Sequence, residues 1–207
     1  MDPVGARNPL VLASQSPRRL ELLAALGMAF EVRPSGAEEP PHEGASPDIA
    51  VLASRIKARS VARDLPDRLV LGADTVVCVE GRVLGKPGSP GEARRMLEGL
   101  RDRWHEVITG LTLVGPGGEW TDAETTRVRM RRFSDEEMEA YIAGGEPMDK
   151  AGAYAIQGGA GRFVEAIEGD FYNVVGLPLA LLLRGLSRWM DVSDIAIPPP
   201  PERFRSA

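Results

Sequence analysis

Leu69-Val70-Leu71-Gly72-Ala73-Asp74-Thr75-Val76-Val77-Cys78-Val79 is the strongest strand signal in the chain. It is nearly continuous apolar sequence, the pattern of a strand covered on both faces. Glu80-Gly81 then makes a turn, and Arg82 to Leu84 returns as a hairpin partner. One residue breaks the rule of the run. A charged, unpaired acid inside such a strand costs several kcal/mol, so Asp74 should meet a cation or a cleft. Three readings are open: a carboxylate fixing nearby backbone by hydrogen bonds, a metal ligand, or a base for water. Lys86, in Gly85-Lys86-Pro87 just past the hairpin, is a nearby cation that favours the last two.

Working toward the N-terminus, Leu10-Val11-Leu12-Ala13 predicts a short buried strand that leads into Ser14-Gln15-Ser16-Pro17-Arg18-Arg19. Ser16 suits an N-cap and Pro17 the first helical position, with leucines 20 and 23 inward and Gly27 as a left-handed stop. Such a strand–turn–helix aims free backbone N–H groups at an anion. Arg18 and Arg19 oppose the helix dipole there. They are either solvated arginines or partners of a bound anion. A second helix opens at Ser46-Pro47 with Ile49, Leu52, Ala53 and Ile56 as its expected buried stripe, which puts Lys57 on the flank. Between the helices, Glu38-Glu39 lies in a Pro- and Gly-rich loop.

Toward the C-terminus, Ser89 to Glu92 reads as a capping box before a helix with Ala93, Met96, Leu97 and Leu100 inward. Val107 to Val114 and Thr125 to Phe133 read as strands joined through Gly115-Pro116-Gly117-Gly118. A capping box at Ser134 to Glu137, a strand over 162–167 and a helix over 178–189 complete the set. Arg127, Arg129, Arg131 and Arg132 read as one solvated face. Strands and helices alternate without repeats, which predicts a mixed α/β class. The expected organisation is an N-terminal extension over 1–9, one domain over 10–190, and a disordered Pro-rich tail over 191–207.

Composition narrows the function. The 207 residues carry a net charge of −5, so no global positive field draws in nucleic acid or an anionic membrane. The single Cys78 sits in the apolar run and excludes an intramolecular disulfide framework. His42 and His105 share no metal-ligand spacing, and no P-loop with Lys-Ser/Thr occurs. With no basic-then-apolar leader, the expected compartment is the cytoplasm.

Ala13-Ser14-Gln15-Ser16-Pro17-Arg18-Arg19-Leu20, Lys57-Ala58-Arg59, Gly72 to Val77 and Gly85-Lys86-Pro87 resemble successive motifs of the Maf family. So do His105-Glu106-Val107-Ile108-Thr109-Gly110, the dense run from Glu146 to Gly158, and Asn173 to Leu179. The resemblance implies a Maf/ITPase-like fold, an elongated mixed sheet flanked by helices with two lobes around a central cleft. It implies hydrolysis of a nucleoside triphosphate to the monophosphate and pyrophosphate, a divalent metal, and often a homodimer. Thr75 and the segment Tyr154 to Gly158 are similar to the branch acting on dTTP and UTP.

Carried over by that resemblance, Asp74 corresponds to the proton acceptor. Arg18, Thr75 and Gln157 match positions linked with substrate choice, and Ser14, Arg19, Lys57 and Lys86 match phosphate-binding positions of the cleft. Asp74 and Glu39 would hold the metal, for which hard oxygen ligands favour Mg²⁺ or Mn²⁺. Two other functions stay open: a non-enzymatic inhibitor of septum formation acting through a partner, and a pyrophosphatase for modified purine nucleotides.

Overall fold

In a computed structural model, residues 8–37 and 47–205 are described. The chain runs β1 (Leu10–Leu12), α1 (Pro17–Ala25), β2 (Phe30–Val32), α2 (Pro47–Ala62), β3 (Val70–Val79) and β4 (Arg82–Leu84). It continues through α3 (Pro90–Leu100), β5 (Trp104–Gly115), β6 (Gly118–Met130), α4 (Asp135–Ala143), β7 (Val164–Glu168), α5 (Phe171–Val175) and α6 (Leu179–Leu186). The sheet has the order β2-β1-β3-β5-β6-β7, with β4 also paired to β3. β1 is parallel to β2 and β3, while the pairs β3–β4, β3–β5, β5–β6 and β6–β7 are antiparallel. The class is mixed α/β, as the alternation predicts.

The edge of β3 opposite β5 is shared. β1 takes its beginning, pairing at Val70 and Leu71, and β4 takes its end, pairing from Val77 to Val79. Between them the segment from Gly72 to Val76 has a strand on the β5 side alone. The sheet therefore parts at Asp74 and Thr75.

Alternation along β3 divides its side chains between two layers. Leu71, Ala73, Val77 and Val79 join the large core with Leu23 of α1, Ala93 and Leu97 of α3, Met138 of α4 and Leu182 of α6. Val76 and Cys78 face the other way and pack with Ala50 of α2 and Ile108 of β5. Burial pushes the Cys78 thiol up to about 11, so it is an inert core group.

The buried face of α2 differs from the expected stripe. Ala50, Ala53, Ser54 and Ala58 face the sheet, whereas Leu52 is 46% exposed and Ile49 and Ile56 are half-buried. Glycines in the sheet explain the rotation. A Cβ on Gly72 would lie 2.2 Å from the Ser54 carbonyl oxygen, and one on Gly110 would lie 2.3 Å from the Ala50 carbonyl carbon. Backbone approaches that close admit only small side chains. Lys57, seven residues after Ala50, is thereby carried under the helix instead of along its flank. Ser46, the expected cap of this helix, lies outside the described residues.

The first helix cap and the C-terminal tail also differ from expectation. Ser16 stands at the N-cap of α1 in extended conformation but makes no side-chain cap bond; Ser14 Oγ accepts the Ser16 N–H instead, at 3.2 Å. The tail, expected to be disordered from its four consecutive prolines, packs on the domain over 191–205. Val192, Ile195 and Phe204 lie against the main core, the Phe204 ring stacks on Phe171 at 5.2 Å, and the Tyr172 hydroxyl donates to the Pro198 carbonyl at 2.6 Å. Aliphatic anchors before the prolines and an aromatic one after them outweigh the composition, because proline lowers the entropy lost on ordering an extended segment. Among the described residues, no helix is long and apolar enough to cross a membrane.

Candidate active site

The parting of the sheet opens a cleft of about 600 Å³. Ser14, Arg18, Arg19, Lys57, Asp74, Thr75, Lys86 and Gln157 all line it, brought together from five separate stretches of chain. Glu39 lies outside the described residues.

Asp74 is 6% exposed and is held from beneath by α2. Lys57 Nζ donates to Asp74 Oδ1 at 2.6 Å, while Asp74 Oδ2 is buried with no hydrogen-bond partner among the described residues. This arrangement follows from the glycine packing, since Gly110 is the cross-strand neighbour of Asp74. With no side chain at 110, the helix approaches closely enough for the lysine to reach the carboxylate. The cation expected for a buried acid is thus Lys57, with Lys86 left exposed on the far wall and making no hydrogen bond among the described residues.

Arg19 and Arg18 have different surroundings. Arg19 is buried, and its guanidinium donates through Nε to the Gly176 carbonyl (2.9 Å), through Nη1 to Ser14 Oγ (3.2 Å) and through Nη2 to Thr75 Oγ1 (3.0 Å). Arg18 is half-buried on the cleft wall and makes no hydrogen bond or ion pair among the described residues. The first turn of α1, with its unpaired backbone N–H groups, adds positive character at the same wall.

The opposite wall is the segment after α4. Glu146 anchors it: Tyr141 O–H donates to Oε1 at 3.0 Å, and the Gly159 N–H donates to Oε2 at 2.9 Å. Gly152, at φ 67, sits against Val77, and its N–H donates to the Gly85 carbonyl at 3.0 Å, which ties this wall to the Lys86 loop. Gln157 is exposed on this wall with its amide making no hydrogen bond among the described residues, and Asp149 lines the cleft nearby. The Asp149 carboxyl is held below its usual range, first by its hydrogen bond with Lys150 and in smaller part by the Arg18 charge.

Sequence reasoning missed what lies behind these walls. His105 is buried, and its Nε2 hydrogen-bonds the hydroxyl of the cleft-lining Tyr154 at 2.7 Å. Burial pushes the His105 pKa down to about 3, so the ring is neutral at physiological pH. Thr109 and Asn173 are fully buried beneath Thr75. Their types carry no individual signal, because a threonine in a strand and an asparagine in a short helix look ordinary in one sequence. Arg127, Arg129 and Arg131 are paired with Glu168, Asp102 and Glu137 at 2.6, 2.7 and 2.6 Å, which fits the solvated face expected of them.

Fold and cleft define a mixed α/β protein whose parted sheet presents a carboxylate between cationic walls. The family model described as "Maf-like protein" matches residues 9–189, and the chain belongs to that family. It is 50% identical over 190 residues to a dTTP/UTP pyrophosphatase of Moorella thermoacetica, covering 88% of this chain and 98% of the relative. A dTTP/UTP pyrophosphatase of Thermococcus gammatolerans is 52% identical over 173 residues, covering 84% and 92%. One of Koribacter versatilis is 49% identical over 180 residues, covering 86% and 93%.

Proposed function

We propose that the cleft hydrolyses nucleoside triphosphates, dTTP and UTP foremost, to the monophosphate and pyrophosphate. The observation that carries this reading is the Asp74 carboxylate, tied to Lys57 through one oxygen and unpartnered at the other, in a cleft whose walls hold Arg18 and Lys86 uncommitted. A structural carboxylate would have both oxygens satisfied, because an unpaired buried acceptor costs about 1–3 kcal/mol.

In this reading Lys57 fixes the carboxylate and compensates its charge. Asp74 Oδ2 accepts the proton of a water that attacks the α-phosphorus, and the bond from that phosphorus to the bridging oxygen of the β-phosphate breaks. Negative charge grows on the departing pyrophosphate, where Arg18, Lys86 and the N-terminus of α1 stabilise it. Arg19 holds Ser14 and Thr75 in place and adds its charge to the same wall. Gln157 offers both a donor and an acceptor to a pyrimidine edge.

The donor set suits a divalent cation. Asp74 Oδ2 is a hard, unpartnered oxygen, and among the described residues no cluster of three or more His, Cys, Asp or Glu could hold an ion alone. Mg²⁺ fits such a site, since it is commonly held by one or two carboxylates with substrate phosphates completing its shell; Mn²⁺ takes the same oxygen donors. Glu39 is the second carboxylate this reading calls on. When bound, the ion would neutralise phosphate charge and lower the pKa of a coordinated water.

The test is pyrophosphate release from a panel of canonical and modified triphosphates with Mg²⁺ or Mn²⁺. Release from dTTP and UTP ahead of the purines is expected. Absence of release from every member would refute the reading and return the chain to a binding or regulatory role.

A further inference from the structure

One lip of the cleft is held in a conformation that its own sequence resists. Gly152 and Ala153 are consecutive left-handed residues, at φ 67 and φ 60, and the chain then runs extended through Tyr154. Glycine adopts such a φ freely and alanine does not, so Ala153 is strained. Strain of this kind persists only where the surroundings over-determine it. Ala153 is fully buried, and Tyr154 to Gln157 follow it directly along the cleft wall.

Bonds to distant chain flank the strained residue. On one side the Gly152 N–H donates to the Gly85 carbonyl at 3.0 Å. On the other the Tyr154 hydroxyl lies 2.7 Å from His105 Nε2, with the two rings edge to face at 5.3 Å. His105 is buried on β5 and does not itself line the cleft. Among the described residues, this is the one hydrogen bond that ties a side chain of residues 151–158 to the sheet. Ile156 adds apolar packing, which carries no direction. The floor of the cleft is held independently. Thr75 Oγ1 lies 2.9 Å from Thr109 Oγ1, which donates to the Asn173 carbonyl at 3.2 Å, and Lys57 holds Asp74 from α2.

We infer that His105 is a positioning residue: through the Tyr154 hydroxyl it pins the strained turn at Ala153 to β5 and so sets the place of the lip from Ala155 to Gln157. This rests on the triphosphate reading above, in which the ligand lies between that lip and the Asp74 floor. A lip already in place costs nothing to order when the ligand enters. A freed lip relaxes its strain and must be ordered again on binding. That cost falls on ground state and transition state alike, so it appears in KM and leaves kcat alone. Asp74 and Lys57 stand on β3 and α2, which the lip does not carry.

The experiment measures kcat and KM for dTTP, and Tm, in the unmodified chain, Tyr154→Phe, His105→Leu, these two combined, and His105→Gln. Each apolar substitution alone should raise KM by about threefold to tenfold, the span of one lost hydrogen bond, with kcat kept within about twofold. Combined, they should raise it no further, because both act through one link. Alone, each leaves a buried polar group unpaired and lowers Tm; combined, they leave neither, so Tm recovers while KM stays high. A purely structural bond would restore both at once. Glutamine, whose amide can stand where Nε2 does, should keep KM within about twofold of the unmodified chain. Tyr154→Phe keeps the ring and serves if the leucine variant does not fold. An unchanged KM in Tyr154→Phe overturns the inference, as do effects that multiply in the combined variant, recovery of KM together with Tm, a fall in kcat that matches the rise in KM, or a glutamine variant no better than leucine. In each of those cases pyrophosphate is still released, so the hydrolase reading survives; failure of that reading is distinct, with no release from any triphosphate by the unmodified chain.

Discussion

Gly110→Ala should separate Lys57 from Asp74 without touching either. A Cβ at 110 would stand 2.3 Å from the Ala50 carbonyl carbon and 2.4 Å from both the Ala50 oxygen and the Val51 nitrogen. All three are backbone atoms of α2, so no side chain can rotate away. Restoring ordinary contact needs a shift of about 1 Å of helix against sheet, and overpacking of this kind costs about 1–3 kcal/mol, here toward the upper end. In a chain of this size each kcal/mol lowers Tm by about 2–4 °C, so the expected drop is roughly 6–12 °C. Lys57 rides on the same helix, and a displacement of about 1 Å at a catalytic carboxylate's partner is worth about 10²-fold in turnover. Thermal unfolding and pyrophosphate release, measured on the same preparation, read both effects. Ala50→Gly should not rescue the variant, because the clash is with backbone. A Gly110→Ala protein with unchanged Tm and turnover would refute the close-packing argument and the placement of Lys57 that depends on it.

Stability should depend on pH through His105. Its folded pKa lies near 3 against an ordinary 6.5, so below pH 6.5 the unfolded chain binds a proton that the folded chain refuses. The contribution is whole above pH 6.5 and lost as pH falls, at about 1.4 kcal/mol per unit, or roughly 2 kcal/mol between pH 6.5 and 5. Urea unfolding over that range should show the slope in the unmodified chain and lose it in His105→Gln; equal slopes would contradict it. Gln157→Ala should relax preference across a triphosphate panel more than it slows turnover, and an unchanged preference would remove Gln157 from base recognition. Truncation after Met190 deletes the Phe204–Phe171 stack and the Tyr172–Pro198 bond, which should cost about 2 kcal/mol and several degrees of Tm. An unchanged Tm would show the tail to be energetically idle.

Much of this was legible in sequence because it is local. The run from Leu69 to Val79 reads as a buried strand, Ser134 and Glu137 form the expected capping box, and Gly27 ends α1 at φ 68. Asp74 stands out because the cost of burying a charge is the same in any fold. Errors arose where a distant residue decides the outcome. Bulk along α2 points to Ile49, Leu52 and Ile56 and cannot reveal that Gly72 and Gly110 lie beneath the helix. β2, with three residues and one of them exposed, has no periodicity to read. Arg19 and Arg18 are neighbours with similar expectations, yet only the fold brings Gly176, 157 residues away, to the first and leaves the second open. The Thr75–Thr109–Asn173 chain is invisible for the same reason: each link joins separate elements.

The central claim is that Asp74, oriented by Lys57, takes the proton of the attacking water. It is tested most directly by Asp74→Asn, which keeps the shape and one acceptor for Lys57 but replaces the basic oxygen with an amide nitrogen. With dTTP and UTP as substrates, pyrophosphate release should fall by about 10²–10⁴-fold while affinity for a non-hydrolysable triphosphate analogue is largely kept. Near-normal release from the asparagine variant would contradict the account.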